Sequence, residues 1–320
     1  MINSNDRAAA LQLIRMFCGR SKFYVSKNVK ALGLTRQTIH NKIELLGKQE
    51  IIENITINIH PYIQPDNLKY VILEIKTNPR EPQILEKLLK IPHLKMLDGI
   101  LGEFSLIALF VFKSTKDYHE GLEKIDNIMA ESYFKKYQIL ETIRVFKTNG
   151  IKIDEVDLNS DFTMDRNDSL ILKILQEEQE KKPISTYEIR DIMKNQYNIE
   201  LSQSTIHNRI KKLEANGIIL NYSINFSPKK VGYKGKYLVR IKPKDPSKYN
   251  EIALNLEKNQ FIIDLFRIGE QYGLFAIVRV KRIEDYAIFI RDLYISEEIE
   301  DTYTNFVLDE LKPYTNFFIF

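Results

Sequence analysis

The sequence predicts an α+β chain of two tandem units, each a helix-turn-helix domain followed by a ferredoxin-like βαββαβ domain. Three observations carry this: a long internal repeat, a helical period at the start of each copy, and a change to a period of two after it. Residues 35–58, TRQTIHNKIELLGKQEIIENITIN, and 202–225, SQSTIHNRIKKLEANGIILNYSIN, are identical at 11 of 24 positions at an offset of 167, without a gap. The identities include Thr38/Thr205, His40/His207, Asn41/Asn208, Asn54/Asn221 and Asn58/Asn225. The same offset carries Gly102-Glu103 onto Gly269-Glu270, and with one inserted residue Leu106-Ile107-Ala108 falls on Leu274-Phe275-Ala276.

In copy one, Ala10, Leu13, Ile14 and Phe17 form an amphipathic stripe, with Asn5 or Asp6 as cap and Gly19 as stop. A short helix from Ser26 to Leu32 ends at Gly33, and Thr35 caps a third helix with Ile39, Ile43 and Leu46 on its apolar face. Copy two repeats the layout with Leu170, Leu172, Ile174 and Leu175, then Tyr187, Ile189 and Ile192, then Ile206, Ile210 and Leu213. Helix, helix, tight turn, helix is the helix-turn-helix arrangement. Alternation at Ile55, Ile57, Ile59 and at Tyr222, Ile224, Phe226 then marks a strand in each copy. Strand 70–76, helix 81–90, strands 94–101 and 104–112, helix 117–130 and strand 138–146 follow in copy one. Copy two supplies 236–241, 247–258, 261–268, 274–280, 284–294 and 300–308 in the same order. The domains expected are 1–60 and 168–227 (helix-turn-helix), 61–150 and 228–320 (ferredoxin-like), with the polar, acidic stretch 151–167 as linker.

With 320 residues, 44% hydrophobic and 28% charged, the composition is that of a globular protein. The longest unbroken apolar run, Leu106 to Phe112, is far short of the roughly 18 residues a membrane helix needs. The N-terminus does not read as a signal peptide, since Gln12 and Arg15 interrupt its apolar positions. A single cysteine, Cys18, excludes an intramolecular disulfide and suits a reducing cytoplasm; it reads as a small buried hydrophobe. The five histidines show neither H-x-x-x-H nor H-E-x-x-H spacing, and no nucleophile elbow or phosphate loop is present. No catalytic residue, metal or cofactor is expected.

With Ile39, Ile43 and Leu46 facing inward, the third helix exposes Arg36, Gln37, His40 and Lys42, with Asn41 nearby, behind Thr35 and Thr38. Its counterpart exposes Gln203, Ser204, His207, Asn208, Arg209, Lys211 and Lys212 behind Ser202 and Thr205. Arg, Gln, Asn and His reach base edges in a major groove, while Lys and Arg neutralise phosphates. Packing does not require the repeated His-Asn pair, so its recurrence favours a binding role over an ordinary solvated face. The heads differ in charge. Residues 1–58 hold nine cations against four anions, net +5, whereas 168–225 hold eight against eight, net 0. The mild overall charge of +4 hides this difference.

The stretch Ser202-Gln-Ser-Thr-Ile-His-Asn-Arg-Ile-Lys-Lys-Leu-Glu-Ala-Asn-Gly-Ile-Ile resembles the recognition helix and wing of the leucine-responsive (Lrp/AsnC) regulators, S-x-x-T-V-x-x-R-I-x-x-L-E-x-x-G-x-I. Copy one keeps Thr35, Thr38, Ile39, Ile43 and Leu46, but has Lys42 for the arginine, Gly47 for the glutamate and Glu50 for the wing glycine. The resemblance implies a transcriptional regulator binding double-stranded DNA through two non-equivalent recognition helices. It also implies pairing through the ferredoxin-like domains, either as an intrachain pseudo-dimer or as a homo-oligomer of tandem chains. That family commonly shows G-x-x-D in the turn near its small amino-acid effector site. Here the turns read Gly102-Glu-Phe-Ser105 and Gly269-Glu-Gln-Tyr-Gly273, without the aspartate. Glu103 or Glu270 either replaces that charge or sits in an ordinary solvated turn, so any small-molecule effector is unidentified. Two other readings share the arrangement: a siroheme-decarboxylase-like enzyme, and a regulator acting by protein contacts alone. The absence of histidine after His207 weighs against the enzyme.

Overall fold

A computed structural model describes residues 11, 12, 14, 15, 35–63, 65, 67–313, 316 and 317. Of the expected first helix, residues 11, 12, 14 and 15 are helical and Ile14 is buried. Its caps Asn5, Asp6 and Gly19, the helix expected from Ser26 to Leu32, and Cys18 lie outside the described residues. The fold is mixed α+β and rich in sheet, and the chain divides into two compact units. One comprises 1–65, 154–232 and 315–320; the other comprises 66–153 and 233–314. Each unit therefore draws on both halves of the sequence.

The first unit contains α1 (Arg36–Lys48), β1 (Ile52–Ile59), α4 (Arg166–Glu177), α5 (Thr186–Tyr197), α6 (Gln203–Ala215), β7 (Ile219–Phe226) and the single turn α7 (Pro228–Val231). α4 and α5 begin with capping boxes, Asp165 with Asp168 and Ser185 with Glu188, each satisfying two of the backbone N–H groups a helix start leaves open. α5 ends at Asn198, whose φ of 55° turns the chain toward α6. Ile171, Leu172, Ile174, Leu175, Ile189 and Met193 form the inward faces. Tyr187, expected on that face, is 53% exposed and stacks on the Arg190 guanidinium 4.2 Å away. It opens the first turn of α5, where a planar cation offers its ring a better partner than the core does.

β1 and β7 pair antiparallel, Thr56 opposite Ser223. The repeated asparagines meet across this ribbon: Asn58 Nδ2 donates to Asn221 Oδ1 at 2.8 Å, and Asn225 Nδ2 to Asn54 Oδ1 at 2.8 Å. Asn316 Nδ2 adds a bond to Asn58 Oδ1 at 2.8 Å. Amides joined in this way, those of Asn58, Asn221 and Asn316 buried, fix the register, because a slip by one residue would leave each without its partner.

The second unit holds β2 (Lys69–Lys76), α2 (Pro82–Leu89), β3 (Leu94–Ile100), β4 (Leu106–Phe112), α3 (Thr115–Glu131) and β5 (Lys136–Thr148). After the short β6 (Ile151–Lys152) come β8 (Gly235–Pro243), α8 (Tyr249–Leu256), β9 (Ile262–Ile268), β10 (Leu274–Val280), α9 (Asp285–Ile295) and β11 (Ile299–Lys312). The order βαββαβ thus occurs twice. The expected helix 247–258 is instead a 3₁₀ turn, Pro246–Lys248, followed by α8. Pro246 starts that turn, since its fixed φ suits the first helical position.

Strand order is β5-β2-β4-β3 in one half and β11-β8-β10-β9 in the other. β3 pairs with β11 and β5 with β9, so eight strands close into a ring. β5 and β11 run to Thr148 and Lys312, beyond the ends expected at 146 and 308, because their C-terminal stretches form these seams. The helices α2 and α3 cover one face of the first half over Leu73, Ile75, Phe110 and Phe112. α8 and α9 do the same in the second half over Val239, Ile241, Ala276 and Val278. β4 and β10 are buried at every position, as strands covered on both faces should be.

Candidate nucleic-acid interface

α6 is the better described of the two expected reading helices. Ser202 caps it, accepting from the Thr205 backbone N–H at 3.1 Å. Ile206, Ile210 and Leu213 are buried, which turns Gln203, Ser204, Asn208, Lys211 and Lys212 to the exposed side, with His207 at its border. Arg209 is held elsewhere. Its guanidinium lies 2.7 Å from Asp168 and 2.8 Å from Asp165, the capping box of α4. Partial burial pushes the Asp165 carboxyl up, but the Asp168 backbone N–H and Arg209 together hold it below the usual range. Arg209 thus fastens the middle of α6 to the start of α4. The Lys212 ammonium stands 4.9 Å from the Phe162 ring centroid. Lys211 is exposed.

α1 repeats the local geometry. Thr35 accepts from the Thr38 backbone N–H at 3.1 Å, and Gln37 Nε2 donates to Asn41 Oδ1 at 3.0 Å on the exposed side. Lys42 is partly exposed, and Ile43 and Leu46 are buried. The side chains of Arg36, Ile39 and His40 lie outside the described residues. The turns that follow the two helices differ. Gly217 has φ 73° and lies against the linker backbone at Asp157 and Leu158, whereas its counterpart Glu50 has φ 54°. A glutamate in the left-handed region is strained; Lys230 Nζ supports it with bonds of 2.8 Å to the Gln49 carbonyl and to Glu50 Oε2.

The two effector-candidate turns lie in the second unit and are chemically unlike. Gly102, with φ 149°, leads into an exposed Glu103 that pairs with Lys136 at 2.6 Å, the setting of a solvated turn. Gly269 donates its N–H to the Glu141 carbonyl at 3.0 Å. Glu270 is shielded instead, 3.7 Å from Arg240, and burial pushes its carboxyl up against that cation's pull. Among the described residues no group of histidines, cysteines and carboxylates is placed to hold a metal ion, and no helix is long and apolar enough to cross a membrane.

A family model described as the Lrp/AsnC ligand binding domain matches residues 237–317. The HTH-type transcriptional regulator FL11 of Pyrococcus abyssi is 33% identical over 153 residues, 48% of this chain and 95% of that protein. The HTH-type transcriptional regulator LrpA of the same organism is 33% identical over 129 residues, 40% of this chain and 83% of that one. The chain belongs to the Lrp/AsnC family. These relatives each span about half of it. Over 98% of its length the fold is also similar to the siroheme decarboxylase NirDL, with a TM-score of 0.61, 12% identity and 95% of that chain covered. At this identity the likeness is one of fold alone.

Within this Lrp/AsnC chain the ligand-binding-domain match includes β8 to β11, the turn at Gly269-Glu270 and the buried Arg240. Sequence reasoning did not assign Arg240 a role. Its signal was a lone cation inside the apolar strand YLVRI.

Proposed function

We propose that this chain is a DNA-binding transcriptional regulator composed of two Lrp/AsnC-type copies in tandem. The helix-turn-helix domains are 1–60 and 168–227, the ferredoxin-like domains 61–150 and 228–320, joined by 151–167. Double-stranded DNA meets the exposed face of α6 at Gln203, Ser204, His207, Asn208, Lys211 and Lys212. It meets α1 at Arg36, Gln37, His40, Asn41 and Lys42. The capping hydroxyls of Thr35 and Ser202, with the hydroxyls of Thr38 and Thr205 bonded to them, stand at the helix starts beside the phosphates. Arg209 takes no phosphate in this reading and holds α6 in place. The two heads read differently, because Arg suits guanine O6 and N7 while Gln suits adenine N6 and N7. A single chain carries both heads, and the effector, if one binds, lies by Gly269 and Glu270 or Gly102 and Glu103.

The observation that carries the reading is the polar face of α6, rich in amides and cations, opposite a fully buried Ile206, Ile210 and Leu213. The regulator names of the relatives support a non-enzymatic role. Anisotropy titration of labelled genomic duplexes from low to high salt tests it. Affinity should fall linearly in log salt, with a slope set by the number of phosphates contacted. Failure to bind any duplex at low salt would overturn the reading in favour of a regulator acting through protein contacts. The likeness of fold to a siroheme decarboxylase gives the enzyme reading its own check, since fold does not fix chemistry. A Soret band retained after gel filtration with an iron tetrapyrrole would favour it.

A further inference from the structure

The ring of strands has two seams, and ladder register gives each seam residue a counterpart at the other. Glu74 stands opposite Ile107 on β4, and Arg240 opposite Phe275 on β10. Leu106-Ile107-Ala108 and Leu274-Phe275-Ala276 are matching tripeptides, so Glu74 and Arg240 occupy the same place in the two halves. By the same register Asp98 corresponds to Phe266, Lys236 to Tyr70, Arg279 to Val111 and Glu310 to Val145. The residues at these places differ in kind. Across β3, β11, β8 and β10 runs a charged row. Lys236 Nζ is 2.6 Å from Asp98 and 3.6 Å from Glu310, and Arg279 holds Glu310 at 2.5 Å. The counterpart row on β9, β5, β2 and β4 is apolar throughout, with the Tyr70 and Phe266 rings 5.7 Å apart. Glu74 and Arg240 form an ion pair with each other, both nearly inaccessible to solvent.

We propose that these buried groups make closure of the barrel specific for unlike halves: the first half accepts the second, and neither accepts its own kind. Two first halves would set Glu74 against Glu74 and leave Asp98 among Tyr70, Val111 and Val145 with no cation. Two second halves would set Arg240 against Arg240; Lys236 and Arg279 would keep Glu310 and the buried Asp264 of their own half, so the penalty there falls on the Arg240 pair. A buried charge without its partner costs far more than an intact pair gains, so the discrimination comes from the penalty on wrong pairings. Arg240 also faces Glu270 of its own half at 3.7 Å, which lessens its isolation without removing the like-charge contact. The partner this surface fits is therefore the other half of the same chain. The inference rests on the duplicated-unit reading above but not on DNA binding, so its test uses no DNA.

The test uses full-length chains in a Cys18→Ser, Glu270→Gln background, so that a carboxylate introduced at 240 meets no second acid. Glu74→Arg and Arg240→Glu should each lower the thermal midpoint by about 5 °C or more, and the double exchange should recover most of that loss. A crosslink reports the pairing: a Cβ at Gly99 lies 3.8 Å from the Asp309 Cβ, the separation of a disulfide. Two tagged chains are co-expressed, one with Glu74→Arg and Gly99→Cys, the other with Arg240→Glu and Asp309→Cys. Each is mismatched within itself and matched to the other, so an interchain disulfide should form. The same split cysteines without the charge changes should give none. If the single variants do not accumulate alone, their recovery on co-expression is the expected result. The neutral pair Glu74→Gln with Arg240→Gln matches within each chain as the unchanged pair does, so it should fold and give no interchain disulfide. Equal interchain crosslinking whatever the charges, or no recovery in either the double exchange or the co-expressed pair, overturns the proposal.

Discussion

Gly217→Ala probes the second wing turn, where conformation and space act together. Gly217 sits just past the end of α6 with φ 73°, a region costing an L residue about 1 kcal/mol or more. An added Cβ would also lie 2.3 Å from the Asp157 carbonyl oxygen and 3.2 Å from the Leu158 Cα, both backbone atoms. The linker cannot step aside freely, because Asn159 bonds back to Asn216 through its backbone N–H at 3.2 Å and its amide at 2.8 Å. Overpacking of this kind adds about 1 to 3 kcal/mol, so a total loss of roughly 2 to 4 kcal/mol is expected. Urea unfolding followed by circular dichroism measures it, with the m-value checked for a change in cooperativity. Glu50 supplies the control at the matching place in copy one. Glu50→Gly relieves strain while removing only the exposed contact of its carboxylate with Lys230, so it should change stability by less than about 1 kcal/mol. A loss below about 0.5 kcal/mol for Gly217→Ala would refute both the close approach and the strain.

Four further outcomes are expected. Ile206→Ala, at a position with no solvent exposure, should cost about 2 to 5 kcal/mol by chemical denaturation; a loss under about 0.5 would mean the helix face is assigned wrongly. Arg209→Met should cost about 1 to 3 kcal/mol of stability, because it strands Asp168, and leave the salt slope of DNA binding unchanged. Lys211→Ala should do the reverse, lowering that slope by about one with stability nearly untouched; equal slopes for the two variants would contradict the division of labour. Asp264 is fully buried, and burial pushes its carboxyl up to about 6 from an ordinary 3.8. A folded-state pKa above the unfolded one means its contribution is intact below about pH 4 and is lost as pH rises through 6. Asp264→Asn keeps an acceptor for the Asn149 backbone N–H and should stabilise the protein by about 1 to 3 kcal/mol at pH 7 to 8, the gain vanishing near pH 4. A gain independent of pH would disprove this account.

Local order was legible in the residues and partnership was not. The periods of Ile39, Ile43 and Leu46, or of Ile55, Ile57 and Ile59, depend on neighbours a few residues away, so helices and strands were readable from them. Asn54, Asn58, Asn221 and Asn225 stood out as repeated identities, but their purpose depends on an amide from a strand more than 160 residues distant. The seams extending β5 and β11 are hidden for the same reason. Arg209 matched a family position and looked like a phosphate contact, yet Asp165 and Asp168 claim it from the start of another helix. Charges within apolar strands, VILEI at Glu74 and YLVRI at Arg240, were visible anomalies. Only the closed ring says that they answer one another.

Because β1 and β7 belong to one polypeptide, their ladder cannot be diluted apart. A two-headed reader assembled from separate subunits loses its second head as concentration falls below the dissociation constant, and its occupancy then follows the square of the subunit concentration. Heads joined covalently keep a fixed effective concentration for one another at any abundance. On the two-headed reading proposed above, pairing of the heads within one chain sets no concentration threshold of its own.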